Sequence, residues 1–145
     1  MLEVGKASNH ELSKVESFYS EVGYSAELGE SDTIVVAQEN FEIVGSVRLC
    51  HEAGFLVLRG MYVSEQKQRM GVGAALLLNA SKEIGLRECW CIPYDYLSSF
   101  YGQAGFREFQ SNAAPPFLSA RAASYLDQGK SVVIMKRPDH WSVFA

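Results

Sequence analysis

The chain of 145 residues suits one domain, with a core able to bury roughly two thirds of the surface that the unfolded chain exposes. Hydrophobic residues make up 48% and charged residues 21%, which excludes a disordered or collagen-like chain. With 13 Lys and Arg against 17 Asp and Glu the net charge is -4, which argues against a general nucleic-acid binder and against a binder of anionic membranes.

Residues 1–6 are short and partly apolar and predict a first strand. Ser8, with Glu11 three residues on, forms a capping box and predicts a helix start. Leu12, Val15, Tyr19 and Val22 then recur at helical spacing, Phe18 widens the apolar face, and Gly23 sits where a C-terminal cap belongs. Residues 24–32 are turn-rich, with room for a further short helical turn. Residues 33–37 (TIVVA), 41–50 and 55–63 are β-like runs, separated by connections at 38–40 and 51–54, and predict an antiparallel meander. The period then changes. Val72, Leu76, Ala80 and Ile84 fall on one line of a helix over residues 71–85. Ala74, Ala75, Leu77 and Leu78 make that helix apolar almost all round, which predicts deep burial. Residues 88–92 read as a short strand stopped by Pro93. Asp95 is placed to cap a helix over residues 96–103, ended by Gly105. Residues 106–110 predict a brief strand, residues 117–127 an amphipathic helix after Pro115-Pro116, and residues 131–136 (SVVIMK) a last strand before Pro138. The order β-α-β-β-β-α-β-α-β-α-β predicts one continuous α+β domain, a mixed sheet with helices on its faces.

No apolar run approaches the length of a membrane span, and MLEVGKASNHE lacks the apolar core of a signal peptide, so a cytoplasmic protein is expected. Cys50, Cys89 and Cys91 are too sparse for a disulfide framework. Cys89 and Cys91 share a face of an apolar run and read as buried small hydrophobes. The histidines are scattered at positions 10, 51 and 140, so no metal site is expected.

The segment that carries chemistry is MYVSEQKQRMGVGAA, residues 61–75. A strand gives way to a short polar loop and then to a helix that opens with Gly71 and Gly73. Such an opening aims unpaired N–H groups and the positive end of the helix dipole at one concavity. Glycine has no Cβ, so a ligand can approach the main chain closely. Lys67 and Arg69 add local positive charge to an acidic chain, and the natural guest is a phosphate or pyrophosphate. The dinucleotide fingerprint G-x-G-x-x-G fails because Leu76 stands at its third glycine, and no P-loop sequence occurs.

Gln68-Arg69-Met70-Gly71-Val72-Gly73 does fit Q/R-x-x-G-x-G/A, and it resembles motif A of the GNAT superfamily of N-acetyltransferases. Downstream, Ser99-Phe100-Tyr101-Gly102-Gln103-Ala104-Gly105-Phe106 resembles the family's F-Y-x-x-x-G-F segment. The resemblance covers roughly residues 33–110. It implies one GNAT-like domain over residues 1–145, with a mixed, mostly antiparallel sheet flanked by helices. It also implies acetyl-CoA as acyl donor, without metal. The coenzyme would be held by Met61 and Val63 at the strand end and by Gln68, Arg69, Met70, Gly71, Val72, Gly73 and Ala74 at the loop and helix start. Two positions depart from the pattern: Tyr94 stands where the family often has Asn, and Leu97 where Ala is common.

The implied reaction is direct attack of an amine, here the primary amine of a small molecule, on the thioester. A backbone N–H, that of Met61 or Val63, would meet the oxyanion. Tyr101, which keeps its proton at neutral pH, would protonate the departing thiolate; its competing role is an aromatic anchor beside Phe100. His51 and Glu52 are candidate bases but read more simply as exposed turn residues. Arg59 should share a strand face with Met61, absent a bulge, and with Arg48 it would suit the carboxylate of an amino-acid-like acceptor. Residues 111–129 are expected to fold over one end of the acceptor site. Trp141 and Phe144 would pack back on the domain or meet a partner chain, and edge strands with an aromatic tail are compatible with a homodimer. The rival readings are a non-catalytic acyl-CoA-binding or sensing module, an acetyltransferase of protein N-termini or lysines, and an unrelated phosphate or nucleotide binder.

Overall fold

The computed structural model describes residues 1–25 and 27–142. Its strands are β1 (Leu2–Lys6), β2 (Thr33–Glu39), β3 (Glu42–Glu52), β4 (Phe55–Val63), β5 (Cys89–Cys91), β6 (Arg107–Glu108) and β7 (Met135–Arg137). Its helices are α1 (Leu12–Glu21), α2 (Val72–Ile84), α3 (Ser98–Gly102) and α4 (Pro116–Asp127). The strands form one sheet in the order β1-β2-β3-β4-β5-β7-β6. β1/β2, β2/β3, β5/β7 and β6/β7 are antiparallel, while β4 and β5 run parallel with Val57 opposite Trp90. The fold is therefore the expected α+β arrangement of a mostly antiparallel sheet with four α-helices. The meander turns at Asn40-Phe41 and Ala53-Gly54, whose φ values of 54° and 67° and of 50° and 84° match the twist of the flanking strands. β2 thus runs on through a register shift at Ala37/Gln38 to Glu39, past the start of the connection expected at 38–40.

The chain separates into two compact units, and the first comprises Met1–Gly54 and Leu58–Glu83. The capping box forms: the Glu11 carboxylate accepts from the Ser8 backbone N–H at 2.9 Å and from its hydroxyl at 3.2 Å, opening a 3-10 turn that leads into α1. Val15, Phe18 and Tyr19 of α1 pack on Ile34 and Val36. The register sets Ile34 opposite Arg48 and Val36 opposite Ser46, so Arg48 and Ser46 share the α1 face of the sheet. The opposite face takes α2. A Cβ at Gly45 would lie 2.9 Å from Leu76 Cδ1 and 3.0 Å from Val72 Cγ1, so glycine there lets the helix come close. α2 buries Val72, Leu76, Leu77, Ala80 and Ile84 but leaves Ala74 and Leu78 exposed. Deep burial all round is corrected to burial of one face, because the sheet covers only one side of the helix. Residues 24–32 hold no helical turn among the described residues; instead Asp32 N–H donates to the Gly29 carbonyl at 3.1 Å and closes a turn.

The second unit comprises Phe55–Val57 and the chain from Ile84 onward. Trp90, Val57, Ile134, Ala114, Leu118 and Ala122 form its core, which makes α4 a core helix. Cys89 and Cys91 are buried as expected, and among the described residues no group of three or more His, Cys, Asp or Glu is placed to hold a metal ion. No helix among them is long and apolar enough to cross a membrane. Three boundaries differ from expectation. Asp95 lies inside a 3-10 turn, Asp95–Leu97, rather than capping with its side chain, and α3 is correspondingly short. The strand expected over 106–110 contracts to Arg107–Glu108. The last strand is Met135–Arg137 rather than 131–136, its approach held by the Val133 N–H on the Pro93 carbonyl at 3.0 Å. Trp141 packs back on this unit; Phe144 lies outside the described residues. The Trp141 ring covers Gly105 and faces the Arg137 guanidinium at 4.8 Å.

Gly105 has φ +89°, and a Cβ there would collide with the Trp141 ring. Gly105→Ala is therefore expected to cost about 1–3 kcal/mol in urea unfolding. Adding Trp141→Ala should recover the part due to collision but not the part due to φ.

Candidate active site

In the first unit, Gly60 lies in mid-β4 with φ +65°, the backbone mark of a bulge within a strand. The Tyr19 hydroxyl donates to the Gly60 carbonyl at 2.9 Å. A Cβ at Gly60 would stand 3.0 Å from Tyr24 Cε2, 3.1 Å from the Tyr19 oxygen and 3.2 Å from Arg48 Cδ, so even a methyl group there would press these side chains back by a few tenths of an ångström. The bulge breaks the period of two, and the shared face expected for Arg59 and Met61 loses its basis. Arg59 instead donates from Nη1 to Glu52 Oε1 at 2.8 Å, so its charge already meets a carboxylate within the protein.

Arg48 is likewise engaged. It donates to Asp32 Oδ2 from Nη2 at 2.8 Å, to the Tyr24 hydroxyl from Nη1 at 2.7 Å, and to the Glu27 carbonyl at 3.1 Å. The Arg48 and Asp32 side chains are 7% and 6% exposed. Burial opposes the Arg48 charge, but the hydrogen-bonded Asp32 carboxylate and its neighbours outweigh it and hold the guanidinium above its ordinary range. Arg48 therefore anchors the segment after α1 to the sheet and has no free fork for a substrate. Tyr24 packs between Tyr19 and Tyr62 in tilted contacts, with ring centroids 4.8 Å and 4.9 Å away. Tyr19 and Tyr24 also line a cleft of about 660 Å³ with Glu16, Glu27 and Leu28. Burial pushes the nearby Cys50 thiol up to about 12, so it stays protonated.

After β4 the chain makes a 3-10 turn, Glu65–Lys67, and Gln68 folds back to donate to the Val63 carbonyl at 3.2 Å. Lys67 pairs with Glu39 at 3.0 Å, both side chains being part-exposed. Arg69 is exposed and has φ +66°. Gly71 follows with φ +84°, and a Cβ there would meet nothing within 4 Å. The Ala75 N–H makes an i→i−4 bond to the Gly71 carbonyl at 3.1 Å, so the N–H groups of Val72, Gly73 and Ala74 precede the helical ladder. Open space, leading amides, the dipole of a 13-residue helix and the Arg69 charge make a cradle suited to a diphosphate.

The acetyltransferase (GNAT) domain family matches residues 4–115. The chain belongs to this family. No curated protein matches the sequence significantly. Among solved structures it is similar to the ribosomal-protein-S18-alanine N-acetyltransferase of Escherichia coli, with a TM-score of 0.71 at 17% identity over 98% of this chain and 96% of that one. It is similar to the N-acetylglutamate synthase of Neisseria gonorrhoeae, solved with coenzyme A and N-acetyl-glutamate, with a TM-score of 0.65 at 17% identity over 97% of this chain and 36% of that one. An aminoglycoside 6'-N-acetyltransferase solved with coenzyme A gives a TM-score of 0.64 at 11% identity over 92% of this chain and 95% of that one. GNAT enzymes are acyltransferases that use acetyl-CoA, and the cradle at Gly71 has the donor chemistry its diphosphate requires.

In the second unit, Tyr101 sits in α3 with 7% exposure, its ring edge-on to Phe100 at 4.9 Å and to Phe106 at 6.2 Å. The packing contacts of an aromatic anchor are thus present, whatever else its hydroxyl does. Tyr94, the departure from the GNAT pattern, stacks on Tyr96 at 5.6 Å. Tyr19, Tyr24, Asp32 and the Gly60 bulge were not singled out from the sequence. The one available signal was a glycine inside a strand-like run, a usual mark of a bulge.

Asp32→Asn leaves the Arg48 charge buried without its counter-charge and is expected to cost about 3–5 kcal/mol in urea unfolding. Replacing both, as Asp32→Leu with Arg48→Met, should recover part of that loss.

Proposed function

We propose that this GNAT protein moves the acetyl group of acetyl-CoA onto the primary amine of a small molecule by direct attack. The observation that carries the reading is the open, glycine-lined cradle at the start of α2. Acetyl-CoA supplies an activated acyl group: the amine nitrogen bonds to the thioester carbon, and the carbon–sulfur bond breaks. The N–H groups from Gly71 to Ala74 bind the diphosphate, and Arg69 adds its charge. Gln68, tied to the Val63 carbonyl, holds the loop against the strand end. The backbone of Met61 and Val63 receives the acyl-bearing arm, and one of these two amides donates to the oxyanion. Tyr101 gives its proton to the thiolate, a role that rests on its place in the F-Y-x-x-x-G-F segment, while the proton that the amine nitrogen sheds on bonding to carbon passes to solvent, from which the phenol is reprotonated.

The structural neighbours are named for acceptors as different as a ribosomal protein's alanine and an aminoglycoside, so the fold does not choose the acceptor. The cleft beside Tyr24 carries Glu16 and Glu27, which suits a cationic amine. Arg48 and Arg59 both have carboxylate partners, so the acceptor in this reading needs no carboxylate of its own.

An amine library assayed with acetyl-CoA by release of free thiol tests the activity; no turnover with any amine would leave a binding module. With an active amine in hand, Tyr101→Phe should lower kcat by at least about tenfold with little change in acetyl-CoA affinity. Unaltered turnover would remove Tyr101 from the reaction. Arg69→Ala should weaken acetyl-CoA binding measured by calorimetry and flatten its dependence on salt.

A further inference from the structure

We infer that Tyr19 is a positioning residue for acetyl transfer: by holding the Gly60 carbonyl it sets the direction in which the Met61 amide points. The inference rests on the acetyltransferase reading above.

The Gly60 carbonyl and the Met61 N–H belong to one peptide unit. That unit is planar and trans, so its C=O and N–H point in opposite directions. A donor fixed on the oxygen therefore fixes the line of the N–H at the other end. The Tyr19 hydroxyl is that donor, at 2.9 Å, on a side chain 2% exposed. A hydrogen bond to the carbonyl also polarises the amide and makes its N–H a stronger donor.

The surrounding side chains leave this peptide little freedom. Tyr24 packs on Tyr19 and is itself tied to Arg48. Tyr24, Tyr19 and Arg48 together crowd the position a Cβ at Gly60 would take. Burial raises the Tyr19 phenol above the ordinary tyrosine range, so it remains a donor at any working pH. Deleting only its hydroxyl removes the grip on Gly60 and leaves the ring packing in place.

The test uses Tyr19→Phe with an amine that the wild type acetylates. The expected result is a fall in kcat of about tenfold, less than removal of an oxyanion donor costs, because the amide is misdirected rather than lost. Affinity for free CoA, which has no thioester carbonyl, should stay within about twofold of wild type. The preference for acetyl-CoA over CoA should narrow. In a Gly60→Ala background, where the peptide is already displaced, the hydroxyl deletion should add little. If Gly60→Ala fails to fold, the ratio of acetyl-CoA to CoA affinity in Tyr19→Phe decides alone. Unchanged kcat and unchanged ratio would overturn the assignment, as would a parallel loss of kcat, CoA affinity and urea midpoint, the mark of a merely structural tyrosine. A wild type that neither binds CoA nor releases thiol would overturn the acetyltransferase reading as well.

Discussion

A guanidinium almost sealed from water must find a counter-charge and fill its donors, and the α1 side of the first unit is arranged around that requirement. Arg48 reaches Asp32, the Tyr24 hydroxyl and the Glu27 carbonyl, three points on the segment that follows α1. That segment has no helix and no strand of its own among the described residues, so these bonds give it a shape. Tyr24, once placed, packs against Tyr19 and Tyr62 and walls the cleft. The same three side chains, Arg48, Tyr24 and Tyr19, crowd Gly60. One buried ion pair is thereby linked to the cleft wall and to the bulge in β4.

The chemistry of the first unit is assigned largely to backbone groups. Gly71 and Gly60 both adopt left-handed φ, at +84° and +65°, where glycine alone avoids a steric cost. At Gly71 the result is open space before a row of helical amides; at Gly60 it is a peptide plane gripped by a phenol. Main-chain donors held by a helix or a strand are already ordered, so they bind an anion or an oxyanion without freezing further side-chain rotamers. This suits an acidic chain in which Lys67, Arg48 and Arg59 are each paired with a carboxylate.

The GNAT neighbours share the fold at identities of 11–17%. A fold of this kind needs apolar alternation in the strands, a helix with one apolar face and glycines at a few turns, which many sequences supply. The fold does not choose the acceptor, and the side chains that line the cleft, such as Tyr24, Glu16 and Glu27, are not dictated by it.

The order of elements and the glycine-led opening of α2 were legible in the sequence because both rest on local signals. The capping box at Ser8 and Glu11, the helical spacing of Val72, Leu76, Ala80 and Ile84, and the glycines that open α2 act within a few residues of one another. Tertiary structure alone decided what the charged and aromatic side chains do. Asp32 and Arg48 lie 16 residues apart, and Tyr19 and Gly60 lie 41 apart. Nothing local marks such pairs, since sheet register and helix docking bring them together. The same holds for Arg59, which regular alternation would aim to the face of Met61 and which pairs with Glu52. Local signals follow from short-range sterics and hydrogen bonding, whereas partners follow from the global packing that those signals only begin.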